Sequence, residues 1–181
     1  MRKIIVIVII LGIVVLFYTM RDKSPAEEAR TPQANENRTL RPDPSNATFI
    51  IDDEQIILSA GRNERTIAGS AIIEETVLLD KFAYGDINAD SKEDTILLLA
   101  RYGAGSGIFI YLGAYVSGPV TYRGSKVTFI GDRIAPQSIS MSGGTVTVEY
   151  LDRGPDEGFA AEPTIPVSKQ FVYKNGEFQE R

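Results

Sequence analysis

The sequence predicts a mostly β protein: a single antiparallel β domain, sandwich-like or an open barrel, behind an N-terminal transmembrane helix. Three observations carry this expectation. After Ala47 the apolar residues recur in short, β-branched, alternating runs and almost nowhere at helical spacing, which marks strands rather than helices. Clusters of Gly, Asp and Asn punctuate those runs where hairpin turns would fall. Ahead of them, Ile4 to Phe17 is almost unbroken Ile, Val and Leu, interrupted by Gly12 and extended by Tyr18 and Met20.

The apolar run is about long enough to cross hydrocarbon, since a membrane helix takes roughly 17 to 25 residues. Residues 1–3 would form a cytoplasmic stub and residues 4–20 a signal anchor. Arg2, Lys3 and the amino terminus favour a cytoplasmic start, with the remainder exported. A cleaved signal peptide shares the basic start and the apolar run, but no small-x-small site follows Tyr18. Lipidation at an export signal requires a cysteine, and the chain has none. The predicted partner of this end is the membrane itself, and the predicted location is the cell membrane with the C-terminal domain outside.

Residues 21–46 read as a disordered linker. They hold four of the nine prolines, no aromatic residue and one large aliphatic, Leu40, too little to build a core. Such a tether spans roughly 30 to 80 Å, depending on its polyproline content. Asn37-Arg-Thr39 and Asn46-Ala-Thr48 match the glycosylation triplet, a pattern that also arises by chance.

Residues 47–181 have the size of one domain. They carry 12 Lys and Arg against 19 Asp and Glu, an acidic balance that argues against nucleic acid and anionic lipid as partners. In order, Thr48 to Ile51 and Gln55 to Leu58 flank Asp52-Asp53-Glu54, a corner suited to a tight hairpin. The segment Arg62 to Glu75 admits a short helix at Ala71 to Glu75 or a loop, with Gly61 and Gly69 favouring the latter. Thr76 to Tyr84 reads as a strand. Thr95 to Tyr102 is a strand whose consecutive apolar positions require cover on both faces. Gly103-Ala-Gly-Ser-Gly107 reverses the chain, and Ile108 to Val116 returns as its partner. Lys126 to Ile130, Gln137 to Met141, Thr145 to Leu151 and Val167 to Tyr173 complete the strands, with turns at Ser142-Gly-Gly144 and Asn175-Gly176.

The clearest chemical signal lies between two strands, in Asp86-Ile-Asn88-Ala-Asp90-Ser-Lys92-Glu-Asp94. A hard cation such as calcium takes six to eight oxygens, and alternate residues of a curled loop can aim theirs at one centre. Asp86, Asn88 and Asp90 would supply side chains, Lys92 its backbone carbonyl, and Asp94 a carboxylate directly or through water. The bland alternative is an acidic turn, since Asp and Asn favour turns. The expected cofactor is Ca2+ in a structural role, because the loop feeds directly into a core strand and binding would brace it. Magnesium suits the loop less, as it demands octahedral geometry and keeps its waters.

Catalysis has little to draw on. Without histidine or cysteine, Ser-His triads, thiol nucleophiles and ordinary zinc sites are absent. Paired carboxylates remain, as does a dyad of Ser140 or Ser106 with Lys169; adjacent Ser168 and Lys169 would point to opposite faces of a strand. The tyrosines and phenylalanine at 102, 109, 111, 115 and 122 suit either a carbohydrate surface or an ordinary sheet face. Asp132-Arg133 and Asp152-Arg153 suit loop-pinning ion pairs. The expected function is therefore a non-catalytic cell-envelope or surface-interaction module whose partner is an envelope protein or glycan, with a cell-envelope hydrolase as the alternative.

The acidic loop followed by an apolar strand resembles the calcium loops of FG-GAP repeats in integrin α-type propellers, and less closely those of dockerins. Propellers repeat the unit, whereas it occurs once here, and Leu97 stands where an EF-hand places its bidentate acid. Over roughly Thr48 to Tyr173 the order of motifs resembles an uncharacterised family of small secreted or membrane-anchored bacterial proteins. The pieces are Gly85-Asp-Ile-Asn-Ala-Asp90 with Asp94, Gly105-Ser-Gly107 with Tyr111, Gly131-Asp-Arg-Ile-Ala-Pro-Gln137, Tyr150-Leu-Asp-Arg-Gly-Pro155 and Pro166-Val-Ser-Lys169. That resemblance implies class and location and carries no activity. Its members usually have glycine where this chain has Ala89 and Ser91.

Overall fold

The computed structural model describes residues 41–103 and 105–181; the expected anchor at 4–20 and most of the expected tether lie outside them. Twelve strands and no helix occur among the described residues, and no described helix is long and apolar enough to cross a membrane. The strands form antiparallel sheets.

The first pair, β1 (Thr48–Ile51) and β2 (Glu54–Ile57), is a hairpin in register Ile51 to Glu54. Asp52 and Asp53 both take positive φ, 51° and 64°, the conformation a two-residue turn needs to follow the right-handed strand twist. The chain is already bonded to the domain before Ala47. Thr95 Oγ1 donates to the Pro42 carbonyl at 2.6 Å, and the Gly61 N–H to the Ser45 carbonyl at 2.7 Å. Pro42 and Ser45 of the segment expected to be linker therefore belong to the folded domain.

The segment expected as loop or short helix contains a strand. β3 (Arg62–Thr66) pairs with β4 (Ile73–Gly85), and nothing helical forms at Ala71 to Glu75. Arg-Asn-Glu-Arg-Thr carries no apolar pattern, so the strand is stabilised by its neighbour. Arg65 lies opposite Glu74 and binds it at 2.6 Å, while Arg62 reaches Glu75 at 2.6 Å. β4 then bulges: Leu78 pairs with Leu99 and Phe82 with Leu97, so Leu79, Asp80 and Lys81 together face Leu98.

β5 (Asp94–Tyr102) and β6 (Ile108–Val116) pair over their whole length, and the larger sheet runs β3-β4-β5-β6. On the far side of β6 lie the short β7 (Arg123–Gly124) and β8 (Thr128–Asp132). The remaining strands, β9 (Ala135–Ser142), β10 (Thr145–Asp152), β11 (Ile165–Lys174) and β12 (Glu177–Glu180), form a second sheet in the order β12-β11-β10-β9.

The alternation along β5 sorts its side chains into two cores. Ile96, Leu98 and Ala100 pack with Leu112 of β6 and with Val146, Val148 and Phe171 of the second sheet. Leu97 and Leu99 point the other way, beneath Phe49, Ile51 and Ile56 of the β1–β2 hairpin. Both faces of β5 are covered, as its unbroken apolar run requires, and each such leucine contributes about 2 kcal/mol by leaving water. Close approach of the hairpin depends on Gly124, where a Cβ would overlap the Thr48 carbonyl and lie 2.8 Å from Phe49 Cδ1.

Candidate metal centre

The loop Asp86 to Asp94 joins β4 to β5, and all five residues expected to ligate a cation fall within it. Its curl is closed by side chains accepting main-chain N–H groups. Asp86 accepts from Asp90 at 3.1 Å and from Ser91 at 2.8 Å; Asn88 Oδ1 accepts from Asp90 at 3.1 Å; Asp90 Oδ1 accepts from Lys92 at 3.0 Å. Ala89 and Ser91 take left-handed φ angles of 61° and 67°. These are the two places where the resembled family carries glycine, and the backbone adopts the conformation that glycine would favour.

Asp94 differs from the others. It is 0% exposed, and each carboxylate oxygen accepts a backbone N–H: Oδ2 from Ile87 at 3.0 Å and Oδ1 from Ser117 at 2.8 Å. Asp94 thus ties the second residue of the loop to the end of β6. Ser117 ties the loop again, because its hydroxyl donates to Asp90 and its carbonyl accepts from Asn88 Nδ2 at 3.0 Å. The Ser117 hydroxyl holds the Asp90 carboxyl below the usual carboxylate range against the opposing effect of burial, with main-chain donation from Lys92 adding to the lowering. Lys92 directs its ammonium to the Gly118 carbonyl at 3.3 Å. Nothing in the sequence singled out Ser117, since it lies 23 residues from Asp94.

Four carboxylates therefore occupy nine residues; Glu93 pairs with Arg41 at 3.9 Å, while Asp86, Asp90 and Asp94 make no ion pair to a basic side chain among the described residues. The donor set is all oxygen, as a hard cation requires. Among the described residues no three acidic side chains are drawn together into a ready-made metal cluster. The oxygens of Asp86, Asn88 and Asp90 face the loop's own amides and, for Asp90 Oδ2, the Ser117 hydroxyl in this arrangement.

A second charged group lies at the opposite end of β5. Arg101, 8% exposed, donates to Glu74 at 2.7 Å and to Asp52 at 3.0 Å, and Arg65 bridges Glu74 and Glu54 at 2.6 Å each. Burial pushes the Glu74 carboxyl up, but the hydrogen bonds from Arg101 and Arg65 outweigh it and hold the group below the ordinary 4.5. Carboxylates held ionised by arginines make poor proton donors, so this cluster braces the hairpin against the sheet.

The other candidates divide clearly. Ser140 and Gln170 lie opposite the same residue, Thr147, so Ser140 and Lys169 project from opposite faces of the second sheet. Lys169 pairs with Glu180 at 3.0 Å, and Ser106 receives the Arg133 guanidinium. Tyr111 is buried in the outer core, Phe109 and Tyr115 pack against it, and Tyr122 stacks on Tyr115 at 5.4 Å. The two Asp-Arg pairs pin loops, though not always through each other. Asp132 pairs with Arg133 at 3.3 Å and accepts the Ile108 N–H at 3.0 Å, whereas Arg153 donates to the carbonyls of Asp132 and Arg133 at 2.8 Å each. No family model, curated protein or solved structure matches the chain.

Proposed function

We propose that this protein is a membrane-tethered, extracytoplasmic β domain of the cell envelope, non-catalytic, with one structural calcium ion held by the Asp86 to Asp94 loop. The observation that carries the calcium reading is the loop's backbone. Ala89 and Ser91 are held in left-handed conformations that cost a non-glycine residue on the order of 1 kcal/mol or more, around Asp86, Asp90 and Asp94, which have no ion-pair partner among the described residues. Asp86, Asn88 and Asp90 would turn their oxygens from the loop amides to the ion, with the Lys92 carbonyl and Asp94 completing the shell. Bound there, calcium would neutralise the loop and fix the start of β5, coupling affinity to the stability of the fold. The envelope location follows from the apolar run and its basic flank, and the role as a surface-interaction module from the scarcity of catalytic groups. The motif resemblance to small secreted or membrane-anchored bacterial proteins agrees with both.

The test is thermal melting and titration calorimetry of the full-length protein, in calcium and in chelator. Calcium at about a hundredfold its Kd should add about 2.7 kcal/mol, and Asp86→Ala with Asp90→Ala should abolish that gain. An unchanged melting temperature at about 1 mM calcium, with no heat of binding, refutes the site. Protease accessibility in intact cells checks the topology, and a protected C-terminal domain refutes it.

A further inference from the structure

Beside the acidic loop, the β1, β6, β7 and β11 strands leave a cleft of about 500 Å³, larger than the other two described, which measure about 400 and 290 Å³. It falls in the size range of small-ligand sites, roughly 300 to 1,000 Å³, where an apolar floor and a few convergent polar groups are the usual makeup. Its apolar floor is Ile50, Val116 and the ring of Tyr173, and the exposed Arg123 and Asn175, the buried Ser125, and Asn88 of the acidic loop line it as well. Tyr173 is fixed edge-on against Phe178 at 5.2 Å, so the floor is rigid.

The charges around the cleft are uneven. Lys126 on the rim is neutralised by Asp53 at 2.9 Å. Arg123 is exposed and makes no ion pair among the described residues, and it also borders the neighbouring 400 Å³ depression. Ser125 Oγ accepts the Ala114 N–H at 3.0 Å, which leaves its own proton free to donate into the cleft. Burial pushes the Tyr173 hydroxyl up, with Asp94 acting in the same direction and Arg123 against it, so the floor lies within reach of both charges.

We propose that this cleft binds a small polyhydroxylated monoanion, a carboxylate on a body the size of one sugar ring, with Arg123 as the anchor for the carboxylate. A planar guanidinium matches a carboxylate bidentately. The ring body covers Ile50, Val116 and Tyr173, and its hydroxyls meet Ser125 and Asn175. A single negative charge is preferred because one arginine is free, while Asp90 and the buried Asp94 stand close by and repel a dianion. The inference does not rest on the calcium reading: Asn88 of the loop borders the cleft, but the anchor Arg123 and the groups Ser125 and Asn175 lie outside the loop's donor set.

Titration calorimetry of the full-length chain in chelator, with glucuronate, glucose and inorganic phosphate as probes, tests it. Glucuronate should bind, glucose and phosphate should each bind about tenfold weaker or less, and Arg123→Gln should weaken glucuronate by about tenfold at an unchanged melting temperature. Asn175→Asp, which sets a carboxylate on the opposite rim, should weaken it as well. Absence of heat at about 10 mM glucuronate, equal binding of glucose, tighter binding of phosphate, or indifference to both substitutions overturns the proposal.

Discussion

The Ser117 N–H donates to Asp94 Oδ1 at 2.8 Å, joining the last residue of the acidic loop to the chain just past β6, 23 residues on. With Ile87 on its other oxygen, Asp94 is a buried acceptor whose two partners are both main chain. Replacing it by alanine leaves two N–H groups without an acceptor, so Asp94→Ala should cost about 3 kcal/mol in chelator, and more in calcium, where a ligand is lost as well. Asp94→Asn should cost nearly as much, because one arm of its amide is a donor facing a donor. Urea denaturation monitored by circular dichroism checks both, and loss of less than about 1 kcal/mol in each would show that the contact is dispensable.

Ser91 offers a change in the opposite direction. Its φ of 67° is available to glycine without a Cβ clash, so Ser91→Gly should stabilise the metal-free protein by about 0.5–1 kcal/mol and tighten calcium binding. Comparing melting curves of the two proteins in chelator and in calcium separates the strain term from the affinity term. A lower melting temperature in both conditions would contradict the strain argument.

Glu74 makes stability depend on acid. Its folded-state pKa lies below 4.5, so the ionised form is favoured by folding, and the resulting stability is fully present above 4.5 and lost as pH falls through the lower folded value. Glu74→Gln should therefore cost about 2 kcal/mol at neutral pH and progressively less in acid, since the wild-type loses the same interaction there. Denaturation midpoints for both proteins between neutral pH and the acid limb should converge. A constant difference across that range would mean that the Arg101 contact owes nothing to the charge.

The acidic loop is legible in the sequence because its chemistry is local: five residues in nine, at alternate positions, define the curl by spacing alone. The same holds for Asp52-Asp53, whose turn is set by two consecutive residues, and for β6, whose limits at Ile108 and Val116 are fixed by glycines and a change of polarity. β3 is not legible there, because Arg-Asn-Glu-Arg-Thr becomes a strand only when Glu74 stands opposite Arg65 and Glu75 comes within reach of Arg62. β12 escapes for a similar reason, since four residues of mixed polarity pair only because β11 precedes them across a two-residue turn.

By itself, then, the sequence determined the β character, the strands with strong apolar alternation, the cover on both faces of β5 and the composition of the acidic loop. Each of these depends on neighbours along the chain. The tertiary structure alone decided which distant groups meet: Ser117 with Asp94, Arg101 with Asp52 and Glu74, and Arg123 across a cleft from Tyr173. Such pairings depend on strand order and sheet packing, which bring together residues 23 to 50 positions apart. A buried polar group is satisfied by whatever donor the fold delivers to it, and spacing along the chain holds no record of that delivery.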